Sequence, residues 1–561
     1  MPRLTPPFVL ARQVLHPARA SRGMHSHVAR ATLLLLLAFA WPPHNARAAG
    51  QSQPSIVAPD TAAHSVSDLT APADEDTVYV NRAINLAAIK LIAFDHDFTL
   101  APWDPHLWEG KIFEIALDRL REQAAEQGIL PRVFAHWRYA PHTIRGLVAD
   151  KWTGHILKLD AQGRPVQIAL GTTMLGPRRL QQVLEQVYGN RPLDVEQPSS
   201  RDSGRFLLVN SPFDMARVQL FQRLCDLRAR RVGALPDLSF EALYELANRA
   251  VDYANGDAQR LKREVLKDPS RYREAGSETD RALEQTTSLL LAWGHAGGTR
   301  ALITNSSWPF VRAAMSASYG EQWREFFELI VVEAKKPDFF GGERPLERLI
   351  AEGSDAFEPV AADAALERGA VYRHGNVAAL QRMIGIRPAQ MLYVGDDLGQ
   401  DGAAPKQAGL YTVSVVPELG EDRRWVQEHH ALLARRAHII EQLEALEQGP
   451  GRSRQAKTLA SPAEARGDSL ILPSDPREGH TQRDKLRALT SQLRDIDREV
   501  QRARGGPWGL PTHGALGEPS LLARHAYDHA DMLVPNTGAL ARFKPTQRLR
   551  ATHPFLGFAR R

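Results

Sequence analysis

The sequence contains a single cysteine, Cys225, among its 561 residues. One cysteine excludes an internal disulfide framework and a metal site built from several thiolates. Cys225 is therefore expected to be a small buried hydrophobic residue. The basic excess is also small and dispersed, with 70 Lys and Arg against 65 Asp and Glu, which argues against nucleic acid as a partner. Small anionic substrates remain compatible with this composition.

Acidic residues are absent before Asp60, whereas arginine recurs throughout that segment. An apolar run, TLLLLLAFAW, follows Arg30, and Ala46–Ala48 fits a small-residue cleavage pattern. Together these features indicate a secretory signal peptide. The run is too short to span a bilayer, so we expect no membrane contact of the mature form. We expect 1–75 to be a presequence and disordered spacer with Met24 as the true start, giving an exported protein; an organelle presequence or a cytoplasmic protein is the alternative.

Three stretches share one pattern, in which an apolar strand ends in polar residues and leads towards a helix. They contain LIAFDHDFTL, RALITNSSWPFV and QMLYVGDDLGQD. Strands followed by helices in this order predict a Rossmann-like α/β core with a parallel sheet, in which ligands gather at the carboxyl ends of the strands.

The spacing of these stretches predicts an inserted domain, because about two hundred residues separate the first from the second. We expect a catalytic core made of residues 76–125 and 290–430, and an α+β cap over 126–289. The cap includes a predicted hairpin with Gly163 in its turn.

The chain after residue 430 is charged and its pattern is helical. We expect a helical extension over 431–561, with a mobile linker near 448–480. Apolar residues three and four positions apart form a short coiled-coil seam from Leu486 to Val500. An intramolecular helix pair is the simpler interpretation, and a contact within a homo-oligomer is the alternative.

The first polar cluster places Asp95 and Asp97 on the same side of an extended chain. Such close carboxylates are tolerated around a magnesium ion or in a phosphoryl-transfer site, although a polar turn would explain them too. Asp95 could attack phosphorus. Asp97 could transfer protons while its backbone carbonyl faces the metal. His96 points to the other face, and we expect it only to pack.

The second and third clusters supply groups suited to binding phosphate. Thr304, Asn305 and Ser306 offer donors for phosphoryl oxygens, or alternatively cap a helix. Lys335 and Lys336 precede a proline, where one lysine could neutralise the transferring phosphoryl group; a solvated turn is the alternative.

The fourth cluster, YVGDDLGQD, places Asp396, Asp397 and Asp401 on a glycine-bounded loop. Carboxylate oxygens suit Mg²⁺, which usually keeps several of its waters. A carboxylate-rich turn without metal is the alternative interpretation.

In this order the four motifs resemble the haloacid dehalogenase superfamily of aspartate-nucleophile phosphatases, and more closely its cytosolic purine 5′-nucleotidase branch. The resemblance is carried by FDHDFTL, ITNSSWPFV, EAKKPDFFG and YVGDDLGQD, with RGLVADKWTGHILKLDAQG and LLARHAYDHADML in support. It covers most of residues 80–540. It implies a phosphoric monoester hydrolase that uses Mg²⁺ and an aspartyl-phosphate to hydrolyse 5′-nucleotides.

The same resemblance implies a role for individual residues. Asp95 corresponds to the nucleophile and Asp97 to the general acid/base. Lys336 is preferred to Lys335 because it directly precedes Pro337. The implied phosphate-binding residues are Thr304, Asn305, Ser306 and Lys336, and the implied metal ligands are Asp95, Asp97 and Asp396 with Asp401 in support.

The sequence departs from the family around NRAVDYANGDAQRLKRE, where members with a purine preference carry basic and aromatic residues. Asp252 survives as a substrate-binding candidate. We expect the other base-reading groups to be lost, since different residues occupy their positions: Asn248, Asn255, Gly256, Leu261 and, near LGTTML, Thr172. A phosphatase of another small phosphomonoester, or a non-catalytic nucleotidase-like binding protein, is therefore the alternative function.

Overall fold

The computed structural model describes residues 77–126, 129–195, 202–232, 235–256, 259–351, 353–361, 363–448, 476–503, 506–513 and 519–551. All of them lie in one compact unit, 64–561. The predicted presequence and residues 449–475 of the predicted linker lie outside the described residues. Export of the protein therefore stays a prediction.

The described residues form strands and helices along the whole unit. The strands are β1 (Tyr79–Val80), β2 (Ile84–Asn85), β3 (Leu91–Phe94), β4 (Leu147–Asp150), β5 (His155–Leu159), β6 (Pro165–Leu170), β7 (Thr173–Met174), β8 (Asp202–Ser203), β9 (Phe206–Leu208), β10 (Thr299–Ile303), β11 (Leu329–Val332), β12 (Leu346–Leu349), β13 (Phe357–Pro359), β14 (Val371–His374), β15 (Met391–Gly395), β16 (Tyr411–Val415), β17 (Met532–Val534) and β18 (Arg548–Leu549). The helices are α1 (Pro105–Glu126), α2 (Pro177–Gln186), α3 (Met215–Ala229), α4 (Phe240–Asn255), α5 (Arg260–Val265), α6 (Pro269–Tyr272), α7 (Ser277–His295), α8 (Trp308–Tyr319), α9 (Asp338–Gly341), α10 (Val377–Ile384), α11 (Ala404–Gln407), α12 (Glu418–Glu428), α13 (His430–Gln448), α14 (Pro476–Ala503) and α15 (Leu521–His529).

The core is built on one twisted sheet with the strand order β1-β17-β16-β15-β3-β10-β11-β14-β12-β13. Neighbours from β17 to β14 are parallel, and antiparallel strands occur at the two edges. Every residue of β3, LIAF, is buried, as expected of a parallel strand covered on both faces. The predicted α/β class with a parallel-sheet core is confirmed. The strands that carry the four motifs, β15, β3, β10 and β11, are direct neighbours.

The cap contains a second, antiparallel sheet with the order β7-β6-β5-β4-β9-β8. The predicted turn at Gly163 joins β5 to β6, and Gly163 has a φ of 81°. Glycine adopts this left-handed conformation without the steric penalty of a side chain. Buried apolar residues of α1, α3 and α4 pack together in one core cluster of the cap.

The cap boundaries differ from those predicted. The chain leaves and re-enters the core where Trp103 and Arg273 form an isolated antiparallel bridge. The sequence prediction gave α1 to the core and α7 to the cap up to residue 289. Instead, α1 packs in the cap cluster, and α7 contributes Leu289, Leu290 and Trp293 to a core cluster. Helical periodicity reveals an apolar face but does not identify the element that covers it.

The C-terminal part is not only helical. After the helix pair, β17 enters the core sheet between β1 and β16. Residues 506–513 and 519–529, here called the C-terminal strap, contact the cap. Trp508 is buried in the cap cluster, and the buried Lys158 ammonium donates to the carbonyls of Trp508 at 2.5 Å and Leu510 at 2.6 Å.

The predicted apolar seam lies on α14 and packs against α13 within the chain. Ile496 and Val500 are buried together with Ile439. Arg436 on α13 donates to Asp497 on α14 at 2.7 Å. The helix α14 begins at Pro476, inside the range expected for the linker. Among the residues that the structure describes, no helix has both the length and the apolarity needed to cross a membrane.

Candidate active site

Four loops meet at one edge of the core sheet. Asp95 follows β3, Thr304 follows β10, and Asp396 follows β15, while Lys336 lies four residues beyond β11. Carboxyl ends of neighbouring parallel strands share an edge of the sheet, so residues far apart in sequence are brought together there. The structure thus places all four predicted clusters in one site.

Three buried carboxylates form the centre of this site. Asp95, Asp396 and Asp401 each offer one oxygen, and these oxygens lie within 4.8 Å of one another. Lys336 lies between two of them, with Nζ 2.7 Å from Oδ1 of Asp95 and 2.6 Å from Oδ1 of Asp401. Lys335 is exposed whereas Lys336 is buried, so the lysine before the proline is the one that enters the site.

Burial and mutual repulsion raise the pKa values of Asp396 and Asp401. Burial, followed by the charges of Asp401 and Asp95, raises the pKa of Asp396 well above its usual range. Burial raises the pKa of Asp401 to about 7, although Lys336 opposes the shift. Burial would lower the pKa of Lys336, but Asp401 and Asp95 outweigh it and hold that pKa well above its usual range. The single positive charge of Lys336 therefore does not fully compensate the negative charge of the three carboxylates.

The carboxylate cluster fits a hard divalent cation. All its donors are oxygens, which Mg²⁺ prefers, and Oδ2 of Asp396 is buried without a hydrogen-bond partner. A buried carboxylate oxygen without a partner is unfavourable. Asp95, Asp396 and Asp401 are the side chains that could hold the ion. The side chain of Asp97 is not part of this cluster. Of its predicted role in metal binding, only coordination by the backbone carbonyl remains.

The carboxylate of Asp97 faces the cap instead. Its Oδ2 accepts from Ser306 Oγ at 2.7 Å and from Lys262 Nζ at 2.9 Å. Its Oδ1 accepts from Trp103 Nε1 at 2.8 Å and lies 2.9 Å from His96 Nδ1. Burial would raise the pKa of Asp97, but Lys262 and then His96 hold it well below its usual range. The substrate-free site thus keeps Asp97 ionised.

His96 was expected only to pack, and this expectation is wrong. Its ring is completely buried and lies edge-on to Phe310, yet Nδ1 contacts the Asp97 carboxylate. Strand alternation would direct His96 away from Asp97. However, β3 ends at Phe94, so both residues belong to a turn in which this alternation no longer applies.

A lysine of the cap that was not predicted as a site residue also enters the site. Leu261 is buried in the cap cluster, but the next residue, Lys262, contacts both Asp97 and Ser306. Gln259 has a left-handed φ of 46° immediately before α5, the helix that carries Lys262. The predicted loss of a base-reading residue at Leu261 stays a prediction.

The predicted phosphate-binding loop is closely tied to the lysine loop. Thr304 and Ser306 are buried, and the Ser306 amide donates to Thr304 Oγ1 at 3.2 Å. The Asn305 side chain donates to the Lys336 carbonyl at 3.1 Å and accepts from the Lys336 amide at 2.6 Å. Asn305 therefore aligns Lys336 with the loop, which the sequence did not reveal.

A family model for the 5′ nucleotidase family matches residues 78–558 of the chain. The chain belongs to the 5′ nucleotidase family. This membership confirms the resemblance found in the four motifs. It also confirms the predicted enzyme class, a phosphoric monoester hydrolase.

Two curated relatives of this 5′-nucleotidase-family chain bear the same name, 5′-nucleotidase domain-containing protein 2. The Homo sapiens protein is 28% identical over 384 residues, which cover 68% of this chain and 69% of the relative. The Rattus norvegicus protein is 28% identical over 361 residues, covering 62% and 60%. The crystal structure of 2-haloacid dehalogenase from Pseudomonas syringae pv. Tomato DC3000 is 16% identical, covering 59% of this chain and 87% of that chain, with a TM-score of 0.19. The strand order described above defines the fold. A TM-score this low adds no support to it.

Two residues at the expected base-reading positions of this 5′-nucleotidase-family chain, Asp252 and Thr172, are engaged in other contacts. Asp252 is largely exposed and accepts from Arg217 at 2.9 Å. Thr172 Oγ1 donates to Asp226 at 2.6 Å. Tyr253, the residue after Asp252, lies under Arg260, whose guanidinium carbon is 3.6 Å from the ring centroid.

Arg145 links the cap to the carboxylate cluster and was not predicted as a site residue. It is buried, and Nη1 donates to the Asp396 carbonyl at 3.1 Å. Its Nε lies 2.9 Å from Oε1 of Glu418. The sequence contained a signal for it, because Arg145 opens the RGLVADKWTGHILKLDAQG segment that resembles the family.

Proposed function

We propose that the protein is an Mg²⁺-dependent 5′-nucleotidase that hydrolyses phosphomonoesters through a covalent phosphate on Asp95. One observation carries the proposal. The buried Asp95 carboxylate follows a central strand, 2.7 Å from the Lys336 ammonium and within the carboxylate cluster. A carboxylate nucleophile splits one difficult displacement into two easier ones.

In the first step, a carboxylate oxygen of Asp95 forms a bond to phosphorus, and the bond from phosphorus to the substrate's alkoxide oxygen breaks. Asp97, once protonated, gives its proton to the leaving alkoxide. Lys262 and Ser306, which contact Asp97 in the substrate-free site, turn to the oxygens of the incoming phosphate. Once Lys262 binds the phosphate, the pKa of Asp97 rises, because the charge of Lys262 is the main cause that lowers it.

In the second step, water attacks phosphorus and gives a proton to Asp97. The bond between phosphorus and the Asp95 oxygen breaks, which releases inorganic phosphate and restores the carboxylate. Thr304, Ser306 and Lys336 hold the phosphoryl oxygens by hydrogen bonds and charge. Thr304 and Lys336 are buried at the site before reaction, so they need little reorganisation.

Mg²⁺, held by Asp95, Asp396 and Asp401, would supply positive charge for the transferring phosphoryl group. The support for this choice is the all-oxygen donor set and the buried, unpaired oxygen of Asp396. The choice of Mg²⁺ over other hard cations rests on the resemblance to the family.

The cap selects the alcohol part of the substrate in this proposal. A 5′-nucleotide is the first candidate, following the family and the names of the curated relatives. A different small phosphomonoester is the second candidate, because Thr172 is hydrogen-bonded to Asp226 and other expected base-reading groups are replaced.

The decisive experiment incubates purified protein with a panel of 5′-nucleotides, sugar phosphates and a chromogenic aryl phosphate, each with and without Mg²⁺. We expect phosphate release that requires Mg²⁺ and is absent from the Asp95→Asn protein. Turnover of nucleotides above all other esters supports the first candidate. No turnover on any ester would reject the proposed function.

A further inference from the structure

A buried tyrosine that is not among the predicted site residues supports the catalytic lysine. Tyr393 lies on β15 and its side chain is completely buried. Its hydroxyl oxygen lies 2.9 Å from Lys336 Nζ and 2.8 Å from the carbonyl oxygen of Ile303. Ile303 is the last residue of β10, directly before Thr304. One hydroxyl on the strand that precedes Asp396 therefore contacts both Lys336 and the strand end that precedes Thr304.

The direction of these two hydrogen bonds follows from counting protons. A tyrosine hydroxyl has one proton, and a carbonyl oxygen can only accept. The proton of Tyr393 is therefore donated to Ile303. The Tyr393 oxygen in turn accepts a proton from Lys336, whose ammonium has donors only. Tyr393 thus acts on the lysine as a neutral acceptor with a fixed orientation.

This acceptor helps to fix the position of the ammonium relative to Asp95. An ammonium has three donors, and hydrogen bonds to Asp401 and Tyr393 use two of them. With Nζ anchored on two sides, it lies 2.7 Å from Asp95 Oδ1. The third donor then remains for Asp95 or for an oxygen of a phosphoryl group bound to Asp95.

The ring of Tyr393 is held independently of its hydroxyl. Phe340 packs edge-on against it, with ring centroids 5.1 Å apart and planes at 89°. Replacement by phenylalanine would therefore remove the acceptor and leave the apolar packing in place. The chain offers a matched control in Tyr372, which is also buried in the core sheet, and whose hydroxyl accepts from the Glu367 amide at 3.1 Å.

We propose that Tyr393 is a positioning residue of the phosphatase, which holds the Lys336 ammonium in register with the Asp95 nucleophile. The inference rests on the proposed function, since it assigns Tyr393 a part in that same reaction. Misplacing a catalytic group by about 1 Å can slow a reaction by about a hundredfold. Substrate binding through the cap does not involve Tyr393.

The test compares Tyr393→Phe with Tyr372→Phe in the full chain, using the best phosphomonoester from the panel with saturating Mg²⁺. We expect kcat of Tyr393→Phe to fall by about tenfold or more with KM within about twofold, because a transition-state contact is weakened while ground-state binding is kept. Tyr372→Phe should keep kcat. Thermal unfolding of both variants shows whether the two lost hydroxyls have similar effects on stability.

The outcomes separate the two claims. A Tyr393→Phe protein with wild-type kcat overturns the positioning role while the phosphatase proposal stands. An equal fall in kcat for both variants, in step with their loss of folded protein, also overturns it, because a purely structural role explains that result. A wild-type protein without turnover on any ester rejects the proposed function and this inference together.

Discussion

The ammonium of Lys262 on the cap lies 2.9 Å from Oδ2 of Asp97 on the core. This ion pair links the cap to the core at the site. Ser306 donates to the same carboxylate oxygen. Asp97 is buried, whereas Lys262 lies on a short helix of the cap and is only partly buried. The cap therefore contributes charge to the chemistry in addition to shaping the pocket.

Lys262→Met should lower kcat/KM by about 10²–10³-fold, because it removes a positively charged donor to the transferring phosphate. Steady-state kinetics on the best ester measures the loss. The control is Arg263→Met, which removes an exposed charge from the neighbouring position and should leave kcat/KM nearly unchanged. Activity of Lys262→Met within twofold of wild type would remove Lys262 from the mechanism.

Asp95→Asn should abolish turnover and leave the fold intact, because the amide is nearly isosteric but cannot attack phosphorus. Phosphate release and thermal unfolding are measured on the same preparation. Acid-quenched wild-type protein should also carry a covalent phosphate that the variant lacks, detected as a mass increase on the peptide containing Asp95. Near-wild-type activity of Asp95→Asn would contradict the covalent mechanism.

Binding of Mg²⁺ should strengthen as pH rises from about 5.5 to 8. Burial raises the pKa of Asp401 to about 7 and raises that of Asp396 as well, and a metal binds the deprotonated forms. Calorimetric titration of metal-free protein at several pH values measures the affinity. An affinity independent of pH over this range would place the ion away from these carboxylates.

The metal-free protein should lose stability over a related pH range. The folded pKa of Asp401, about 7, exceeds the unfolded value of about 3.9, so between these values the folded state binds more protons. The free energy of unfolding therefore falls as pH rises from about 4 to 7. Saturating Mg²⁺ should reverse this trend, which thermal unfolding at pH 5 and pH 8 can check.

Lys158→Met should release the C-terminal strap from the cap. The buried ammonium donates to the carbonyls of Trp508 and Leu510, and unpaired buried acceptors cost about 1–3 kcal/mol each. We expect the free energy of unfolding to fall by about 2 kcal/mol and limited proteolysis near the strap to accelerate. Lys267→Met, at a largely exposed side chain, serves as the control and should change stability by less than about 0.5 kcal/mol.

Discrimination among nucleobases should be weak. A pocket without hydrogen bonds to the base discriminates by only about 10 to 200-fold, whereas one built on such bonds reaches about 10⁴ or more. Comparison of kcat/KM for IMP, GMP, AMP, UMP and CMP measures this directly. A preference for IMP and GMP by several orders of magnitude would show that other cap residues read the base.

The sequence by itself determined which groups lie at the ends of the core strands. Asp95, Thr304 and Asp396 each follow an apolar run that forms a parallel strand, and such strands present their carboxyl ends at one edge. A local pattern was therefore enough to predict the core of the site. The neighbouring Lys336 could be chosen because the proline after it marks the family motif.

Only the tertiary structure decided which distant residues complete the site. Lys262 and Tyr393 reach the catalytic groups through the position of the cap and the order of the strands, which no local periodicity encodes. Likewise, β17 joins the core sheet beside β16 although more than a hundred residues separate the two strands in sequence. An apolar face on a helix or strand shows that another element must cover it. Which element covers it depends on packing across the whole chain. This packing determined the cap boundaries and the contacts of the C-terminal strap.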